Sequence, residues 1–98
     1  MTRPVVFRPQ AEQELLEAER WYEDRRPGLG RQFRAALDQV IERVAEQPLA
    51  FPLVHGEKRR AHVPRFPYAL YFALVDAQPV VVGVVHGHRD PLVWRLRR

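Results

Sequence analysis

No cysteine occurs in the 98 residues, which excludes disulfide stapling, a thiol nucleophile and a thiolate metal ligand. Glycine is sparse, with five in the chain, and none falls in a pattern that would cradle a phosphate. No apolar run approaches the roughly 20 residues of a membrane span, and Met1, Thr2, Arg3 and Pro4 do not open a signal peptide. A cytoplasmic protein without membrane association is therefore expected. Acidic residues are scarce in one half only. Residues 1–46 hold eight arginines and nine Asp or Glu, a balance of −1, whereas residues 47–98 hold seven arginines, Lys58 and three acids, a balance of +5. Clustered arginine steers anions and binds phosphate or carboxylate bidentately. The second half is thus where a polyanionic target or an acidic protein partner is expected; a solvated basic surface is the alternative reading of the same charge.

At this length residues 1–98 read as one domain. Val5, Val6 and Phe7 predict a short strand that hands the chain to a helix at Pro9, where a missing N–H costs nothing. Ala11, Leu15, Ala18 and Tyr22 then recur at helical spacing. Pro27 and Gly28 break this helix. A stronger stripe follows in Leu29, Phe33, Ala36, Leu37, Val40, Ile41 and Val44, and Pro48 stops it. A connection this short makes the two helices an antiparallel hairpin. Pro48 to Gly56 reads as a packed connection, Glu57 to Val63 as a basic strand, and Tyr68 to Val75 and Val80 to Val85 as strands joined by a turn at Asp76 to Pro79. The successive valines of the last strand predict that both its faces are covered. The fold class is accordingly α+β: an N-terminal strand, then an antiparallel helical hairpin packed on one face of a mainly antiparallel sheet. The other face is expected to be open and basic.

Several groups of residues can carry chemistry. Lys58, Arg59, Arg60, Arg65 and Arg89 fall close together if adjacent strands pair as hairpins, and such a patch would bind phosphate or stabilise a phosphoryl transition state. Positive charge that protects an exposed strand edge is the competing explanation. His86 and His88 are spaced to share a face at the end of the last strand, where one imidazole would serve a metal-independent RNA cleavage as general acid or base. As metal ligands they lack a third partner of recognisable spacing, so neither a metal nor a cofactor is expected. Phe66, Tyr68, Tyr71 and Trp94 offer either base-stacking surfaces or core.

Read in order, the residues resemble the RelE/ParE toxin superfamily over almost the whole chain. The matching pieces are Val5-Val6-Phe7-Arg8-Pro9 with Ala11, Trp21-Tyr22, Leu29-Gly30-Arg31-Gln32-Phe33, Pro48 and Pro52, Arg65-Phe66-Pro67-Tyr68, and His86-Gly87-His88-Arg89-Asp90-Pro91 followed by Trp94. The resemblance implies the toxin of a type II toxin–antitoxin module, neutralised by a cognate antitoxin whose extended or helical segment wraps it. RelE-like members cut mRNA on the ribosome, commonly with a Tyr or His close to the C-terminus; ParE-like members are associated with inhibition of DNA gyrase. Here the tail reads Trp94-Arg95-Leu96-Arg97-Arg98 with neither residue, which speaks against the nuclease, and the His86-x-x-Arg89-Asp90 region is more similar to the ParE-like, plasmid-stabilisation branch. A growth inhibitor that acts by binding is therefore the first expectation. A ribosome-dependent endoribonuclease using Arg65, His86, His88 and Arg89 is the second, and an inactive homologue that still binds antitoxin is the third. The residues expected to meet the target or the antitoxin are Lys58, Arg59, Arg60, Arg65, Tyr68, Arg89, Trp94, Arg95, Arg97 and Arg98.

Overall fold

A computed structural model describes residues 4–98; Met1, Thr2 and Arg3, on which the reading of the N-terminus rests, lie outside the described residues. Strand β1 (Val6–Phe7) leads directly into helix α1 (Pro9–Arg25), with Pro9 in the first turn. The first N–H groups of a helix have no intrahelical acceptor, so proline is tolerated there. α1 buries Ala11, Leu15, Ala18 and Tyr22. Helix α2 (Leu29–Glu46) buries Phe33, Ala36, Leu37, Val40 and Val44, with Leu29 and Ile41 half-buried beside them. The stripes read from spacing are thus the core faces of the two helices.

The hairpin closes through a borrowed cap. α2 has no side-chain cap of its own. Instead the Glu23 carboxylate on α1 accepts hydrogen bonds from the backbone N–H groups of Gly28 and Gly30 at 3.0–3.1 Å. A negative group at this end also complements the helix dipole. A side chain at position 30 would place its Cβ 2.6 Å from the Glu19 carbonyl oxygen, so the helices approach this closely only over glycine.

After a 3-10 turn at Pro48–Ala50 come β2 (Leu53–His55), β3 (Lys58–His62), β4 (Tyr68–Val75), β5 (Gln78–His86) and a one-turn helix, α3 (Leu92–Arg95). The sheet order is β1-β5-β4-β3-β2. β1 lies parallel to β5, and every other pair is antiparallel. The helical hairpin packs on one face, against Ala61, Leu70, Phe72, Val81 and Val84. This is the expected α+β arrangement, and the valine run of β5 is covered on both faces.

What covers the second face is a correction to the sequence reading, which left that face open. Trp94 of α3 stacks on Tyr71 with ring centroids 4.0 Å apart and planes 14° from parallel, closing a smaller cluster with Ala69, Val82 and Val85. Two elements escaped the periodicity: β2, inside the segment read as a packed connection, and α3, inside the tail.

Candidate functional site

β1 is too short to cover its neighbour. It pairs with β5 only at Val80 and Val81, and the Arg8 N–H donates to Val81 O at 2.9 Å before the chain turns into α1. Beyond that point the edge of β5 lies bare of any strand. β5 is also bulged there: Tyr71 pairs with Gly83 and Phe72 with Val81, which leaves Val82 without a cross-strand partner. A bulge turns backbone groups out of the ladder and aims side chains anew.

Two charged side chains from distant parts of the chain take up the freed groups. The Val84 N–H donates to Glu14 Oε1 at 3.1 Å, and the Arg97 guanidinium donates to Val82 O at 3.1 Å. Glu14 and Arg97 in turn form a two-pronged ion pair, at 2.7 and 3.0 Å. Their side chains are only 19% and 14% exposed, so water screens the pair weakly. A side chain at position 83 would meet Arg97 at 3.0 Å, so Gly83 leaves room for the guanidinium. The pair does for this stretch of edge what a neighbouring strand would otherwise do.

Past the clamp, a groove of about 640 Å³ opens between α1 and the remaining edge of β5. Ala18, Trp21 and Tyr22 from α1, Tyr68 from β4, Val84 and His86 from β5, and Arg89 line it, with Glu14 and Glu17 along one wall. Trp21 is 49% exposed, and the Arg25 guanidinium lies 4.2 Å from its ring centre. An aromatic series leads from the core into this groove: Phe33 to Tyr68 at 5.3 Å, Tyr68 to His86 at 5.3 Å and His86 to His88 at 5.2 Å between centroids. The first two pairs are edge-to-face, a geometry that contributes about 0.5–1.5 kcal/mol per aromatic pair beyond burial. The Gly87 N–H turns toward β4, donating to Pro67 O at 2.7 Å, while the Val84 N–H turns outward. By the alternation of antiparallel pairing, His86 N–H and Val84 C=O face the open edge as well.

Protonation in the groove follows from its contacts. His86 Nδ1 accepts from the His88 N–H at 3.1 Å, so the neutral ring carries its proton on Nε2. Burial pushes the Tyr68 hydroxyl above the ordinary tyrosine value; Arg89 offsets part of this and Glu14 adds to it. Burial also raises Tyr22, and Tyr68 reinforces the shift. Both phenols are therefore neutral hydrogen-bond donors at physiological pH, the wrong state for a proton acceptor.

The cations expected as one patch are distributed over the molecule. On β3, alternation sends Arg59 to the helix side, where it donates to Phe51 O at 2.6 Å. It sends Arg60 to the opposite face, across from Tyr71, with its Nε buried and lacking an acceptor among the described residues. Lys58 donates to Arg95 O at 3.1 Å. Arg65 is exposed in the turn before β4 at φ 68°. Arg89, Arg95 and Arg98 are exposed, Arg97 is held by Glu14, and Trp94 is buried at 5% exposure. Of the ten residues expected to meet a partner, the groove takes in Tyr68 and Arg89, with His86 from the catalytic alternative. Glu14 and Glu17 were not anticipated. Nothing local marks Glu14, because its partner lies 83 positions away. Trp21 did carry a signal, a large aromatic one position off the buried stripe. Among the described residues no three or more His, Asp or Glu converge as metal ligands, and no helix is long and apolar enough to cross a membrane.

Comparison with known proteins places these features in a family. No curated protein matches the chain. Among solved structures, one described as the chromosomal ParDE TA system from P. aeruginosa superposes with a TM-score of 0.76 at 10% identity, over 87% of this chain and 96% of that one. At that identity the likeness concerns the fold. The profile of the family described as the ParE toxin of type II toxin-antitoxin system, parDE, matches residues 5–91. With β1, the helical hairpin and the whole sheet inside that match, the chain belongs to the ParE toxin family of type II toxin–antitoxin systems.

Proposed function

We propose that this ParE-family toxin works in the cytoplasm as a growth inhibitor that binds its target, DNA gyrase, without cutting nucleic acid, and that a cognate antitoxin neutralises it through the groove beside β5. The observation that carries the binding reading is the dispersal of the cations: Arg59 serves Phe51 and Arg97 serves Glu14, so of the cations expected as one patch Arg89 alone shares the groove with an imidazole, that of His86. Phosphoryl transfer needs several fixed cations and a proton acceptor within reach of one phosphate. The raised Tyr68 hydroxyl supplies no acceptor.

The groove suits an extended segment. Backbone groups at the edge of β5 offer strand-like pairing, and the apolar floor of Ala18, Tyr22 and Val84 takes alternate side chains. An acidic residue of the antitoxin would sit against Arg89, while Arg59 and Arg60 lie elsewhere on the sheet and would contribute little. The endoribonuclease reading keeps one point in its favour, the His86, His88 and Arg89 group at the mouth of the groove, and it makes an opposite prediction.

Wild type, His86→Ala and His88→Ala are induced at matched levels, and ribosomal mRNA cleavage and gyrase-dependent DNA breaks are scored. A binding toxin keeps its growth arrest and its DNA breaks in both variants. Losing a general acid or base lowers a rate by about 100 to 10,000-fold; mRNA cuts that vanish in either variant, without DNA damage, would replace the binding reading by the nuclease.

A further inference from the structure

The segment around α3 is fastened at three points. Trp94 is stacked on Tyr71, Lys58 holds the Arg95 carbonyl, and Arg97 is forked to Glu14. A single helical turn has no stability of its own in water. These fastenings fix its position and its rotation.

The rotation decides what faces outward. Leu92 and Leu96 are one turn apart, so they share a side of the helix, and Trp94, midway between them, points to the other side. With Trp94 buried, the two leucines stand in solvent at 58% and 80% exposure. Exposed Arg95 and Arg98 flank them, Lys58 is anchored alongside, and from Ala77 to Arg98 the one acidic residue is Asp90. The Asp90 carboxylate accepts from the Leu92 N–H at 3.0 Å, so it helps begin the helix. A pair of leucines inside a cationic frame, held rigid beforehand, is a preorganised anchor of the kind that carries binding energy.

From this we infer that the outward side of α3 is the surface by which the toxin docks onto its target, and that the target presents an acidic amphipathic segment, with apolar side chains for Leu92 and Leu96 and carboxylates for Arg95 and Arg98. The inference rests on the growth-inhibitor reading above and adds a second, separate surface to it. The leucines do not line the groove beside β5. A nucleic-acid backbone would use the arginines and leave the leucines idle, whereas a protein segment uses both. Glu14 joins the two surfaces, since it borders the groove and holds Arg97 of the tail. An antitoxin segment that draws Glu14 away would loosen α3 without covering it.

The test compares wild type with Leu92→Ser/Leu96→Ser and with Arg95→Glu/Arg98→Glu, all exposed positions, after thermal unfolding has verified each fold. Growth arrest at matched expression, inhibition of purified gyrase and capture of the antitoxin encoded beside the gene are measured. Both variants are expected to lose growth arrest by about tenfold or more, the change a tenfold loss of affinity for the target would bring at limiting toxin, and to retain antitoxin capture. Leucine variants as toxic as wild type would overturn the docking surface and leave the toxin reading standing. Loss of toxicity in the arginine variant alone would overturn it in favour of a nucleic-acid contact. Loss of antitoxin capture in step with toxicity would also overturn it, assigning α3 to the antitoxin surface. If growth arrest depends on the leucines while purified gyrase is unaffected, the surface stands and gyrase is the wrong target. A wild type that arrests nothing removes both the toxin reading and this inference.

Discussion

The two faces of the sheet are finished on different scales. Under the helical hairpin, Phe33, Leu37, Val40, Val44, Leu70 and Phe72 are almost wholly buried, contributed by long elements that must all be in place together. On the opposite face one helical turn closes the surface with a single large ring, Trp94 over Tyr71. The first arrangement defines whether the chain is folded. The second is an attachment whose loss would leave most of the core untouched, and it borders both surfaces assigned to partners. Global stability thus rests on the hairpin side, the α3 surface belongs to the thin side, and the groove lies at the edge between α1 and β5, where Ala18, Tyr22 and Val84 serve both core and groove floor, with the Glu14 to Arg97 pair as a tie between groove and tail.

The strongest challenge to this division is Leu37→Ala. Leu37 is fully buried on the hairpin side, and its truncation is expected to cost about 2 to 5 kcal/mol of global stability, read as a lowered denaturant midpoint. A cost below that range would mean the thick face is no more essential than the thin one. Trp94→Ala follows. A buried tryptophan normally costs about 3 to 5 kcal/mol on truncation, but here α3 can detach while the core persists, so a smaller global loss is expected, with amide-exchange protection failing mainly in residues 92–98. Equal global costs for Leu37→Ala and Trp94→Ala would show that the faces unfold as one unit.

The tie itself is measured by a double-mutant cycle on Glu14→Gln and Arg97→Gln. Both side chains keep some contact with water, so a coupling of about 1 to 2 kcal/mol is expected, between the values for exposed and buried pairs. An uncoupled pair would leave the edge of β5 sealed by something else. The smallest effect concerns alkali. Tyr22 and Tyr68 are both raised in the folded protein, so the unfolded chain releases these protons first. The stability they carry is complete below about pH 10, the ordinary tyrosine value, and is lost as pH rises through the folded values. Tyr68→Phe should make the alkaline fall in stability shallower, and an unchanged slope would place the burden on Tyr22 alone.

Sequence periodicity revealed the thick face and almost nothing of the thin one. The α2 stripe from Leu29 to Val44 repeats over a whole helix, and the valines of β5 have no other sensible conformation. β2 has three residues and α3 has four, too few for any period to register, and the Asp90-Pro91 start of α3 reads equally well as a turn. The scattering of the cations was partly legible: on a strand Arg59 and Arg60 must point to opposite faces, which alone breaks a single patch. The partnership of Glu14 with Arg97 had no local trace, since it depends on where a bulge in β5 exposes two backbone groups.

The pairing of β1 with β5 also sets an order of events during synthesis. Val6 finds its strand partner only at Val80, so the first strand waits unpaired while both helices and three other strands are made. Contacts that join distant parts of a chain form late and slow the completion of a fold. α1 and α2 can gather early as a local hairpin, but the groove beside β5 cannot exist until the last strand has emerged and met the first. A nascent chain is thus unable to offer that groove to a partner before β5 has been made.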